Sequence, residues 1–150
     1  VRLVGSEMCI ETASTEADPR GIEADGNLDG IYPDHLRQSD FAVENMTIVN
    51  NAANTTDNVD RMQDVIKIRR GAKATITNAL VKGSGGTIDL IDMNDSKGAG
   101  NAASSISITH TLNFKNKLNG TLNTFTEPTT NAGADASLFT WSGYDFSSLL

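Results

Sequence analysis

The segment Asp25-Gly26-Asn27-Leu28-Asp29-Gly30 carries oxygen side chains at alternate positions ahead of a glycine, the first half of a calcium-binding loop. Such spacing suits a hard cation that prefers oxygen ligands around a sharp turn. Asp25, Asn27 and Asp29 would supply side-chain oxygens and Ile31 a backbone carbonyl. Leu36 stands where the closing carboxylate is expected, and Asp34 comes two places early, so the expected calcium site is weak. A solvated acidic turn is the competing reading. A second acidic set is Asp89, Asp92 and Asp95. Asp89 lies between Ile88 and Leu90, so strand alternation predicts that it faces solvent. Two carboxylates can cleave a glycosidic bond when they face each other across roughly 5 to 9 Å, an arrangement this spacing does not itself impose. His35 and His110 have no nucleophile partner, and there is no nucleophile elbow, phosphate loop or metal-binding histidine cluster. Arg69 and Arg70, with Lys67 and Lys73, form the single basic cluster, expected to be a solvated strand face. With 12 basic against 19 acidic residues, nucleic acid is not an expected partner. No catalytic set emerges, and no cofactor beyond weak calcium is expected.

The elements that must carry these residues repeat. Val43-Glu44-Asn45-Met46-Thr47-Ile48 and Ile76-Thr77-Asn78-Ala79-Leu80-Val81 share one pattern, and a weaker copy begins at Ile108-Thr109-His110. A second series is Gly21–Asp25, Val65–Arg69 and Thr87–Ile91. Short β-branched runs recurring at a fixed interval mark a solenoid, whose turns cannot bury an apolar face alone and must stack. The 14 Asn and 16 Thr suit tight turns and pleated surfaces, which favours a turn-dense β protein over a helical one. A strand from Asp64 is preferred to a helix over 57–70, because Val65-Ile66-Lys67-Ile68 is β-branched-rich and stops at Gly71. Ser104–Phe114 alternates throughout and reads as one half-buried strand. Gly26–Asp40 and Ala52–Gln63 read as long excursions, and Leu118–Asn131 as a hairpin or irregular excursion. Ile22, Ile48, Ile66, Ile68, Ile76, Val81, Ile88, Leu90, Ile106, Ile108 and Leu112 are the expected core.

Residues 138–146 hold four of the eight aromatics. They are expected to fold over the last coil as a cap, with a sugar-stacking platform as the alternative. No apolar run approaches the roughly 20 residues that span a bilayer. Leu3–Ile10 resembles the translation of a sequencing adapter, so residues 1–10 are set apart as an expected artefact, with a genuine short strand as the alternative. On that reading Cys9, the single cysteine, is not native. Residues 11–150 then form one β-helix domain, the C-terminal fragment of a longer solenoid in a metagenomic reading frame, whose partners include its own upstream coils.

On Arg20–Asp25, Phe41–Asn50 and Ile66–Gly83, about half the chain, the sequence resembles the C-terminal part of bacterial surface proteins with a right-handed parallel β-helix. The resemblance implies stacked coils of short strands around a hydrophobic interior and an extracellular or outer-surface location, without assigning a role. The repeats set the expectation of an all-β solenoid of about three coils, and the leading functional expectation is a non-catalytic structural module, adhesive or in contact with polysaccharide or cell-surface glycan. The resemblance also implies that Asn45 and Asn78 belong to an Asn ladder, each side chain bonding the coil above or below. β-Helix lyases of similar architecture set acids beside a basic residue on one sheet, which makes Lys67, Arg69 and Asp89 the groove candidates for an enzyme reading. Coil-on-coil filament assembly is a third expectation.

Overall fold

The structure, a computed structural model, describes residues 8–12, 18–26, 38–51, 62–143 and 145–146, and for 8–12 the backbone alone. Among the described residues, nine strands alternate between two parallel sheets. Sheet A is ordered β1 (Met8–Thr12), β3 (Asp40–Asn50), β5 (Lys73–Lys82), β7 (Ser105–His110) and β9 (Thr124–Thr126). Sheet B is ordered β2 (Ile22–Asp25), β4 (Met62–Arg69), β6 (Thr87–Asp92) and β8 (Phe114–Asn119). Because strands adjacent in sequence fall in different sheets, each β pair is one coil and every hydrogen-bonded neighbour belongs to the next coil. This is a parallel β-helix. The described residues form four such coils and β9, one coil more than the repeats alone suggest, because β1 pairs with β3 from Met8↔Met46 to Thr12↔Asn50.

Stacking places like on like between the sheets. Val43, Ile76 and Ile106 share one column, continued by Phe125. Ile22, Ile66, Ile91 and Leu118 share another in sheet B. Met46, Ile48, Ile66, Ile68, Ile76, Leu90, Ile91, Ile106 and Ile108 are fully buried. Each such side chain stabilises by about 1.5–3 kcal/mol relative to exposure.

Several expectations change. Ile22 is only half-buried, because β2 is a sheet edge covered from one side. Ile88 is also half-buried, facing a cleft it shares with Leu112 and Phe114, and Ile91 takes its expected place under Ile66. The alternating run Ser104–Phe114 is not one strand: the chain turns at 111–113 and passes from sheet A to sheet B with its inward residue, Leu112, at the corner. Residues 118–131 are no hairpin either, since β8 and β9 lie in different sheets. The strand at Met62–Arg69 replaces the helix alternative. The excursions lie mostly outside the described residues.

Among the described residues, the aromatic tail does not cap the core. Ala136–Ser142 is a 3-10 helix with no buried residue, started by Asp135 accepting from the Ser137 N–H at 2.9 Å and stopped by left-handed Gly143. Leu138 is 55% and Trp141 81% exposed, while the Phe139 and Phe146 rings pack on each other with centroids 5.3 Å apart. The final apolar positions are instead covered in part by Leu118, Leu122 and Phe125.

Candidate functional site

On sheet A the two matching asparagines sit at a shared break in the ladder. Asn45 and Asn78 have φ of 54° and 50°, a left-handed conformation that Asn tolerates better than most residues. Register runs Glu44↔Thr77 on one side and Met46↔Ala79 on the other. Asn78 Nδ2 donates to Asn45 Oδ1 at 2.7 Å. The third repeat is shifted from its expected place. Ile106, not Ile108, aligns with Ile76, and His110 lies opposite Val81. In β7 Ser107 alone faces Thr77 and Asn78, so this strand has one residue fewer and no left-handed position.

The C-terminal segment fills that groove. Thr109 Oγ1 donates to Pro128 O at 2.5 Å and accepts from the Asn131 N–H at 3.2 Å. Asn131 Nδ2 donates to Ser107 Oγ at 3.2 Å, and Asn78 Oδ1 accepts from the Ala132 N–H at 2.9 Å. Thr47 Oγ1 accepts from the Ala134 N–H at 2.9 Å. Pro128–Ala134 is therefore a strap across β7, β5 and β3. Gly133 is required in it: its φ is 73°, and a Cβ there would stand 2.2 Å from Thr47 Oγ1.

Sheet B carries charge where sheet A carries amides. Asp64 and Asp89 are register partners, as are Lys67 and Asp92. Single oxygens of Asp64, Asp89 and Asp92 all lie within 4.8 Å of one another. Lys67 Nζ contacts Asp92 Oδ2 and lies 3.7 Å from Asp64 Oδ2. Arg20 Nε is 3.3 Å from the same Asp64 oxygen, while its other nitrogens reach Asp18 and Glu23. Asp89 accepts from Asn116 Nδ2 at 2.6 Å and from Asn119 Nδ2 at 3.1 Å. Burial pushes the Asp64 carboxyl above its usual range, against the pull of Lys67. Asp89 is thus buried rather than solvent-facing, because strands about 4.8 Å above and below cover it with their own side chains.

Further along the sheet, Arg69 bridges Glu23, Asp25 and Asp95, and Arg70 joins Asp25 and Asp95. Within the basic cluster Lys67, Arg69 and Arg70 are paired and largely covered, whereas Lys73 stays at a more exposed position beside Asp40. A hydrogen bond to Asp25 holds the Arg69 guanidinium even more firmly protonated than usual. Asp95 is drawn below its ordinary range, first by the Lys97 backbone N–H and then by Arg70.

Of the groove candidates, Lys67 and Asp89 share one network, with Arg69 in the adjoining one. The calcium-loop residues Asn27, Asp29 and Ile31, with Asp34, lie outside the described residues, and Asp25 is engaged by two arginines. The carboxylates of Asp64, Asp89 and Asp92 are hard donors of the type calcium takes. They do not fit one here: an ammonium already stands beside two of them, and both oxygens of the third accept amide hydrogens. Sequence reasoning missed Asp64 and a second amide pair, in which Asn94 Nδ2 donates to Asn119 Oδ1 at 2.7 Å. A recurring interval was the available signal, since Asp64 to Asp89 and Asn94 to Asn119 are both 25 residues apart.

Stacked two-sheet coils with a polar outer belt define a parallel β-helix protein. More specifically, a family model described as a pectate-lyase-like β-helix domain matches residues 4–144, and the chain belongs to that family. No curated protein and no solved structure matches it. Among the described residues, no helix is long and apolar enough to cross a membrane.

Proposed function

We propose that the chain is a non-catalytic structural module of a secreted or cell-surface protein, adhesive through contact with glycan. The observation that carries this reading is that Lys67, Arg69 and Arg70, the basic residues of the sheet B belt nearest its acids, are all engaged by carboxylates. A lyase needs a base that can take a proton from a sugar carbon, and general-base efficiency requires a pKa near the working pH. Arg69, the basic residue best placed for that task, is held protonated by Asp25. Lys67 is buried between Asp64 and Asp92. The exposed Trp141 supports glycan contact, since an aromatic face free of the core can stack on a sugar.

The alternative is a polysaccharide lyase, favoured by the family match and by the three clustered carboxylates. Incubation with polygalacturonate, with and without calcium, separates the two. The module reading expects no unsaturated product under either condition, and retention on immobilised acidic glycan that weakens in Trp141→Ala. Turnover abolished by Arg69→Ala overturns it.

A further inference from the structure

Lys67 and Asp92 are in register on adjacent coils, 9% and 6% exposed, and in direct contact through Nζ and Oδ2. Two further groups converge on the pair. The Asn94 backbone N–H donates to the other Asp92 oxygen, Oδ1, at 2.8 Å. Asp64, 5% exposed, places Oδ2 3.7 Å from Nζ, and Arg20 Nε meets the same oxygen at 3.3 Å. Asp89 does not compete for the amine, because its oxygens are occupied by Asn116 and Asn119.

A buried amine, an acyl carbon, a donor at the acyl oxygen and a third carboxylate are the parts of an amide-forming site. We infer that Lys67 and Asp92 condense to an intramolecular isopeptide bond, joining Nζ to Cγ and tying β4 to β6. The reaction balances without a co-reactant. An ammonium and a carboxylate together hold the atoms of one amide and one water. Asp64 relays two protons from Nζ to Oδ2 in turn. The amine attacks Cγ, negative charge gathers on Oδ1 where the Asn94 N–H meets it, and the Cγ–Oδ2 bond breaks as water leaves. A preset donor at the developing oxyanion and a fixed attack geometry are large sources of rate enhancement in acyl transfer. Burial keeps bulk water from the acyl carbon.

Intact mass of the full chain under denaturing conditions tests this. The wild type should weigh less than its sequence by one water, and proteolysis should yield a branched peptide joining Lys67 to Asp92. Lys67→Arg and Asp64→Asn should restore the sequence mass, with circular dichroism confirming that they fold. Asp92→Asn preserves the acyl carbon and should lose ammonia in place of water, a readout independent of whether the other variants fold. A wild type at full sequence mass overturns the bond, as does a water loss mapped to any other pair. Condensation that persists in Asp64→Asn overturns the relay.

Discussion

The two outer faces of one solenoid are fastened by different chemistry. Sheet A is held by uncharged amides and hydroxyls, Asn45, Asn78, Asn131, Thr47 and Thr109, meeting a strap of backbone. Sheet B is held by a belt of Arg20, Asp64, Lys67, Arg69, Asp89, Asp92 and Asp95. A neutral hydrogen bond contributes modestly, and its loss costs mainly the desolvation of the orphaned partner. A buried ion pair contributes little net, yet removing one member leaves an uncompensated charge. The faces should therefore fail differently: sheet B sharply and with charge dependence, sheet A in small, geometry-dependent steps.

The largest effect is expected from Lys67→Met, which removes the amide to Asp92 and leaves Asp64 and Asp92 as buried carboxylates with no ammonium beside them. Unfolding in urea should show a loss of about 3–5 kcal/mol. The double variant Lys67→Met with Asp92→Leu should recover part of it, and no recovery would mean that the lost bond and packing, rather than buried charge, set the loss. On sheet A, Asn78→Ala removes one acceptor and two donated hydrogen bonds and puts Ala at φ 50°, for an expected loss of about 2 kcal/mol. Limited proteolysis should then cut the strap before the coils. Simultaneous cleavage would show that strap and coils are one cooperative unit.

The smallest effect lies at the last coil. Glu127 is drawn below its usual range, first by the Lys117 hydrogen bond and then by His110, whose Nε2 lies 2.7 Å away. A folded pKa below the unfolded one gives stability that is present above the unfolded value of 4.5 and lost as pH falls through the folded value. Glu127→Gln should therefore cost roughly a few tenths of a kcal/mol at neutral pH and nothing in acid. Asp64 has the opposite sign. Its raised pKa makes its contribution most favourable below 3.8 and less so as pH rises through the folded value. In a Lys67→Arg background, where no amide can form, Asp64→Asn should gain stability along that rise, and parallel pH profiles with and without the Asp64 change would refute this.

The same contrast explains what the sequence disclosed. Sheet A was readable because a left-handed Asn recurs at the same point of successive coils, and the period survives in the letters. The fold class followed from that period. The third copy was misplaced by two residues because Ile106 and Ile108 are equally good core residues, and β7, which has no left-handed Asn, offers no letter to fix its register. Sheet B hid its network because charged residues have no required order within a column. Asp64 over Asp89 and Lys67 over Asp92 emerge only from register. Asp89 was misassigned since alternation describes one strand, whereas burial in a stack depends equally on the coils on either side. The tail was misread because aromatic content says nothing about which surface the preceding strap leads it to.

The strap also orders events in time. Its anchors Thr47, Asn78 and Thr109 lie on three different coils, and all precede it along the chain. Contacts of such sequence separation form late, after the closure of shorter loops. Pro128–Ala134 therefore cannot seat until β3, β5 and β7 have stacked, and a stack slipped in register would offer it the wrong partners. Gly133, whose lack of a Cβ lets the strap close on Thr47 and Leu80, makes the docking step a checkpoint on the assembly that came before it.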